Sequence, residues 1–126
     1  SAADIAFIAE HTPASQRFED VDTIDDRSRW VLKNAFGRMG DTVIIGNLAK
    51  EKDWNESLAA ARRKPEEWLL QERFEVAPMQ DGDRPFYPSL GVYLVNHRFA
   101  GYYSRAAHHP FINHEAYHVA TLVEPA

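Results

Sequence analysis

A lysine followed by two closely spaced glycines, within residues 31–46 (VLKNAFGRMGDTVIIG), is the pattern in this chain best suited to chemistry. Glycines let backbone amides approach an anion, and a fixed ammonium neutralises its charge, so Lys33 with Gly37, Arg38 and Gly40 forms a candidate phosphate cradle. It is not a P-loop, in which the lysine ends the glycine loop and a helix follows directly; here the lysine comes first and β-rich runs flank the loop. The residues alone leave a second reading open, an ordinary hairpin turn beside a surface lysine.

Arg105, at the end of an aromatic-rich run, is the next candidate, because a guanidinium makes paired contacts to phosphate or carboxylate oxygens. The plainer reading is a solvated strand-end arginine. Four of the six histidines (His108, His109, His114 and His118) crowd the C-terminal end, and the last two have a spacing that shares one helical face. A zinc site needs three or four ligands to converge, and with no HExxH pattern these imidazoles read first as solvated or packing groups. The acidic run Glu19, Asp20, Asp22, Asp25 and Asp26 could in principle hold a hard cation, but such runs are commonly solvated faces. Trp30, Trp54 and Trp68 each stand at the start of an element and read as core rather than as base-stacking platforms.

These residues need elements to position them. Residues 1–29 hold a short apolar stretch at 5–9 and then the acidic run, with too little periodicity to assign a structure. Residues 30–33 predict a strand, 36–41 a glycine-containing turn and 42–45 a second strand closed by Gly46. Asp53 is placed to cap a helix over 54–64, with Glu56 at the capping-box position, Trp54, Leu58 and Ala61 on one face, and Pro65 at its end. Residues 66–76 predict another strand. Residues 79–89, with Asp81-Gly82-Asp83 and two prolines, read as a loop. Strands over 90–95 and 99–105 joined through Asn96-His97-Arg98 form a hairpin, and 113–123 stays undivided between helix and strand.

Composition bounds the function classes. At 126 residues, 44% hydrophobic and 26% charged, the chain is a folded protein of one domain's size and not a disordered segment. A net charge of −5 gives no overall attraction for nucleic acid or an anionic membrane. The absence of cysteine excludes disulfides, thiolate metal sites and a cysteine nucleophile. No apolar run approaches the ~20 residues of a membrane span, and residues 1–13 lack the pattern of a secretory signal, so a soluble, cytoplasmic chain is expected.

Read in order, VLKNAFGRMGDTV, a helix, WLLQERF and GVYLVNHRFAGYYSRAAHHPFI resemble the lid and final strands of the circularly permuted ATP-grasp family typified by glutathionylspermidine synthase. The resemblance spans about residues 30–124 and covers the C-terminal part of the family's synthetase domain; it rests on motif order and spacing. It implies an α+β fragment: residues 30–78 as an antiparallel strand, Gly loop, strand, helix, strand lid, and residues 79–126 as a C-terminal β-hairpin layer. It implies that Lys33 contacts nucleotide phosphate, that Gly37, Arg38 and Gly40 close over the β- and γ-phosphates, that Gln71 and Glu72 lie at the adenine, and that Arg105 faces the γ-phosphate or an acyl phosphate. The activity implied is an ATP-dependent carboxylate–amine ligase acting on a peptide carboxylate and an amine. Asn34 departs from the family's usual proline, and His108 and His109 from its usual acidic or polar residues. The family's magnesium carboxylates and much of its acyl-substrate site precede the lid, so magnesium ligands are expected outside these residues and the chain alone is expected to be inactive. The rival expectations are an ATP-grasp-like domain that binds without chemistry and a small β-rich interaction protein whose glycine loop is merely a turn.

Overall fold

The computed structural model describes residues 1–38 and 40–124; Met39, inside the expected 37–40 loop, and Pro125 and Ala126 lie outside the described residues. The chain forms two compact units, Ser1–Phe74 and Glu75–Ala126. Both are built on antiparallel sheets of four strands, with two α-helices among the described residues, so the chain is α+β.

In the first unit, α1 (Ala2–His11) starts at a capping box, in which Ser1 Oγ accepts from the Asp4 amide and the Asp4 carboxylate accepts from the Ser1 amine at 2.7 Å. None of its residues is buried, so local capping rather than packing defines it. β1 (Ser15–Arg17), β2 (Trp30–Asn34), β3 (Val43–Ile45) and β4 (Trp68–Glu72) form a sheet in the order β1-β4-β2-β3. α2 (Glu51–Arg63) lies between β3 and β4 in sequence.

Register decides which side chains meet α2. β2 pairs with β4 so that Leu32 faces Leu70 and Asn34 faces Trp68, and successive residues of a strand alternate faces. Leu32, Leu70 and Trp68 therefore share one face, where they join Phe18 with Trp54 and Ala61 of α2 in a single buried cluster. The neighbours Val31, Lys33, Leu69 and Gln71 take the other face.

The expected strand–turn–strand–helix–strand order is present, with two local corrections: β4 is confined to Trp68–Glu72 of the expected 66–76, after a 3-10 turn at Pro65–Glu67, and the helix start differs. α2 begins three residues earlier than Trp54 and its N-cap is Lys50, without a side-chain cap. Asp53 is inside the first turn with Glu51, while Arg62 and Arg63 occupy the last, so charges matched to the helix dipole take the place of a cap. Residues 1–29, which carried no assignment, supply β1 and the buried Phe18.

In the second unit, β5 (Met79–Asp81), β6 (Arg84–Val95), β7 (Arg98–Ala107) and β8 (Tyr117–Val119) run in that order across the sheet. Residues 79–89 are thus not a loop: Asp81 pairs with Arg84 around Gly82-Asp83, with Gly82 at φ 59°. A Gly-Asp pair between strands is a two-residue hairpin signal, and the prolines obscured it. The β6–β7 turn is likewise two residues, Asn96 and His97 at φ 50° and 60°, and Arg98 belongs to the strand. Buried apolar residues in this unit are small: Ala106, Ala107 and Ala116. Among the described residues no helix is long and apolar enough to cross a membrane.

All three tryptophans lie in the first unit, so their fluorescence reports its unfolding alone. Leu70→Ala, which empties a side chain with no exposed surface, is expected to destabilise that transition by about 2–5 kcal/mol in urea. A cost below about 1 kcal/mol would mean that Leu70 is not the centre of this core.

Candidate functional site

Lys33 projects from β2 on the face turned away from α2, and its Nζ donates a hydrogen bond to Gln71 Oε1 of β4. Gln71 Nε2 in turn donates to Ser15 Oγ of β1 at 2.7 Å. Three neighbouring strands thus contribute one side chain each to a polar row, and the carboxamide is oriented with its oxygen toward the ammonium and its nitrogen toward the hydroxyl. Partial burial pushes the Lys33 ammonium below the ordinary lysine value. No ion pair involves Lys33 among the described residues, so the amide dipole of Gln71 is the partner seen for its charge.

β2 leads from Lys33 straight into the glycine turn. Asn34 organises that turn: its side-chain oxygen accepts from the Phe36 amide at 2.9 Å, its backbone oxygen from the Gly37 amide at 3.2 Å, and its own amide donates to Thr42 O at 3.1 Å. The first contact is an Asx turn, and a proline at this position would supply neither it nor the amide. The Asp41 and Val43 amides donate to Arg38 O and Gly40 O, both at 3.0 Å. Gly37 is required for space, because a Cβ there would collide with Thr42 Oγ1; Gly40 is required for conformation, at φ 82°. Arg38 is exposed on the turn.

The structure separates the two residues expected together at the adenine. Gln71 shares the Lys33 face, whereas Glu72 lies on the opposite face across from Trp30, with its carboxylate 3.6 Å from Arg29 Nη2 in an exposed pair. Arg105 belongs to the second unit, on β7 between Ser89 and His118. Its Nη2 donates to the backbone oxygens of Asn113 and, at 3.2 Å, Ala116, while its Nε is buried without a hydrogen-bond partner. In this arrangement Arg105 fastens the segment preceding β8 to β7.

The C-terminal histidines are similarly engaged. His108 Nδ1 is 3.1 Å from Pro85 O, which makes it the donor nitrogen, and the Tyr117 hydroxyl is 3.2 Å from Nε2. His118 Nδ1 is 2.7 Å from the Tyr103 hydroxyl, and His109 Nε2 is 3.7 Å from Glu115. Among the described residues no group of three or more His, Asp or Glu side chains is arranged to hold a metal ion.

A groove of about 460 Å³ lies elsewhere on the first unit, between Ile24, Asp25 and Arg27 and the Glu51, Trp54 and Arg62 stripe of α2. It includes Asp25 of the acidic run and the core residue Trp54, but none of the residues expected at a phosphate or at the adenine. Conversely, Ser15 and Thr42 were not singled out, and Asn34 was noted only as a departure from the family's proline: Ser15 is one of several serines until β1 is known to pair with β4, whereas an Asx turn at Asn34 is a signal that the residue type itself could have given.

No protein-family model matches the chain, and no curated protein or solved structure matches it.

Two outcomes follow from this geometry. Gly37→Ala is expected to destabilise the first unit by about 1–3 kcal/mol, and adding Thr42→Ala should recover part of that loss, because the two side chains compete for one space. Equal and additive losses would contradict the contact. For Lys33 the folded state holds the proton less tightly than the unfolded chain, so stability rises with pH in the alkaline range just below the ordinary lysine value, and the cost of burying the ammonium is fully present at neutral pH. Lys33→Met should therefore melt no lower than wild type at neutral pH and lack that alkaline rise; a clear drop in melting temperature would contradict it.

Proposed function

We propose that the Lys33 face of the first unit binds the phosphates of ATP, as part of a cytoplasmic ATP-dependent carboxylate–amine ligase of the glutathionylspermidine synthase-like, circularly permuted ATP-grasp kind. The observation that supports this reading is a part-buried ammonium, held by a neutral amide rather than by a carboxylate, on the strand that runs into a glycine turn. An uncompensated cation in a desolvated position gains most from an anionic ligand. A lysine whose only task was structural would sit more cheaply in water or beside an acid.

In this reading Lys33 and Arg38 neutralise phosphate charge, and Gly37 and Gly40 allow the turn to approach the β- and γ-phosphates without side chains in the way. The substrate carboxylate takes the γ-phosphoryl group, giving an acyl phosphate and ADP; an amine then attacks the acyl carbon, forming the amide and releasing inorganic phosphate. Positioning and charge neutralisation are what such a transfer asks of a protein. Gln71 sets the direction of the Lys33 ammonium through its bond to Ser15. Magnesium would be held by residues other than those described.

One observation favours a second reading, a nucleotide-binding domain without chemistry: the Arg105 guanidinium, expected at the transferred phosphoryl group, is already bonded to two backbone oxygens. Isothermal titration with magnesium ATP tests both. Lys33→Ala is expected to weaken binding about 10- to 100-fold, the loss of one charge-assisted contact. Arg105→Ala weakens it comparably under the ligase reading and by less than about twofold under the second, with circular dichroism checking that the variant folds. A folded wild-type chain that binds no ATP, or equal affinity in wild type and Lys33→Ala, would count against both.

A further inference from the structure

The groove beside α2 has an apolar floor and walls that carry both signs of charge. Trp54 is buried at its base, and Ile24 and Leu58 are half-buried there and pack against the Leu32 and Leu70 cluster. Along one face of α2, Glu51, Asn55, Leu58 and Arg62 follow at four, three and four residues, so the carboxylate and the guanidinium start about 16 Å apart along the axis. The facing segment adds Asp25 and Arg27. None of these four charged side chains forms an ion pair or hydrogen bond with another described residue.

The backbone of the Arg27 wall is fixed before any ligand arrives. Asp26 Oδ1 accepts from the Ser28 amide at 2.9 Å, and the Trp30 amide donates to Arg27 O. Gly46, just after β3, lies so close that a Cβ there would collide with the same oxygen. Arg27 itself is half-buried, so its guanidinium loses water without gaining a protein acceptor. Two cations and two anions sum to zero charge. An anion alone would meet Asp25 and Glu51, and a cation alone would meet the guanidiniums, so the matching ligand carries separated charges of both signs on an apolar body.

We infer that this groove binds a short apolar peptide with free termini, laid along α2 with its ammonium at Glu51 and its carboxylate at Arg62. Three extended residues cover about 10 Å, and the two long side chains reach inward over the rest. Asn55 and, from the facing wall, Arg27 and Asp25 supply donors and acceptors for the peptide groups between, while the apolar side chains rest on Ile24, Leu58 and Trp54. The inference does not rest on the phosphate reading, because Lys33 lies on the face of the sheet turned away from α2.

Isothermal titration with the tripeptide Leu-Ala-Leu, its N-acetyl form and its C-terminal amide tests each end separately. The free tripeptide should bind saturably, and each capped form at least about tenfold more weakly. Arg62→Gln should cost the free tripeptide about tenfold and the amide form almost nothing, and Glu51→Gln should do the same for the free and the N-acetyl forms. Both side chains are exposed, so the variants keep the fold, which circular dichroism checks. In NMR spectra the tripeptide should shift the Trp54 indole and leave the Lys33 ammonium undisturbed, so this site and the phosphate site succeed or fail independently. No saturable binding by the folded chain, capped forms that bind as well as the free tripeptide, or variants that weaken all three peptides equally would each overturn the inference.

Discussion

Leu32 and Leu70 face each other across β2 and β4 with no exposed surface, and among the described residues they are the largest side chains so completely buried. Because a strand's side chains alternate, burying this pair beneath α2 commits every neighbour on both strands to a face. Lys33 and Gln71 must then lie together on the side away from the helix, and Ser15 reaches them only because β1 adds to β4 in the register that sets it opposite Gln71. A slip of one residue would drive the Lys33 ammonium into the apolar cluster, at a cost no hydrogen bond there could offset. The core and the candidate site are therefore two consequences of one register.

That arrangement carries a cost that a purely structural sheet would avoid. The ammonium is partly desolvated, which lowers its proton affinity, and its partner is a dipole rather than a charge. The Ser15–Gln71 bond spends the amide nitrogen so that the amide oxygen stays turned to Lys33. The glycine turn is restrained by its own bonds and by the Gly37–Thr42 fit, so it is a shaped element before any ligand arrives. Residues held in a less stable arrangement than their sequence requires are where function is most economically sought.

Much of the first unit was legible in the sequence. The β-branched and aromatic runs around Lys33 and at Trp68-Leu69-Leu70, the glycine turn, and the Trp54-Leu58-Ala61 periodicity each carry a local physical signal, and each became the expected element. What was not legible depends on pairing between distant segments. β1 is three polar residues that become a strand only by bonding to β4, and the parting of Gln71 from Glu72 is a fact of alternation that motif spacing does not express. The tight Asp81–Arg84 hairpin was hidden by Pro85 and Pro88, which sit in β6 where proline is tolerated near a sheet edge. Arg105 illustrates the opposite hazard: its residue type suits a phosphoryl group, yet in the fold its guanidinium meets backbone carbonyls at residues 113 and 116.

The central claim is that the row formed by Lys33, Gln71 and Ser15, with the glycine turn beside it, is the place where this chain meets a nucleotide's phosphates. Mapping amide and side-chain NMR shifts during titration with inorganic triphosphate and then with ATP tests it at the level of residues. The account predicts that the largest changes fall on the Lys33 ammonium, the Gln71 carboxamide and the amides of Gly37, Arg38 and Gly40, with ATP adding changes beyond those of triphosphate. Changes confined to the groove around Arg27 and Arg62, or an undisturbed Lys33 in a folded chain, would contradict it.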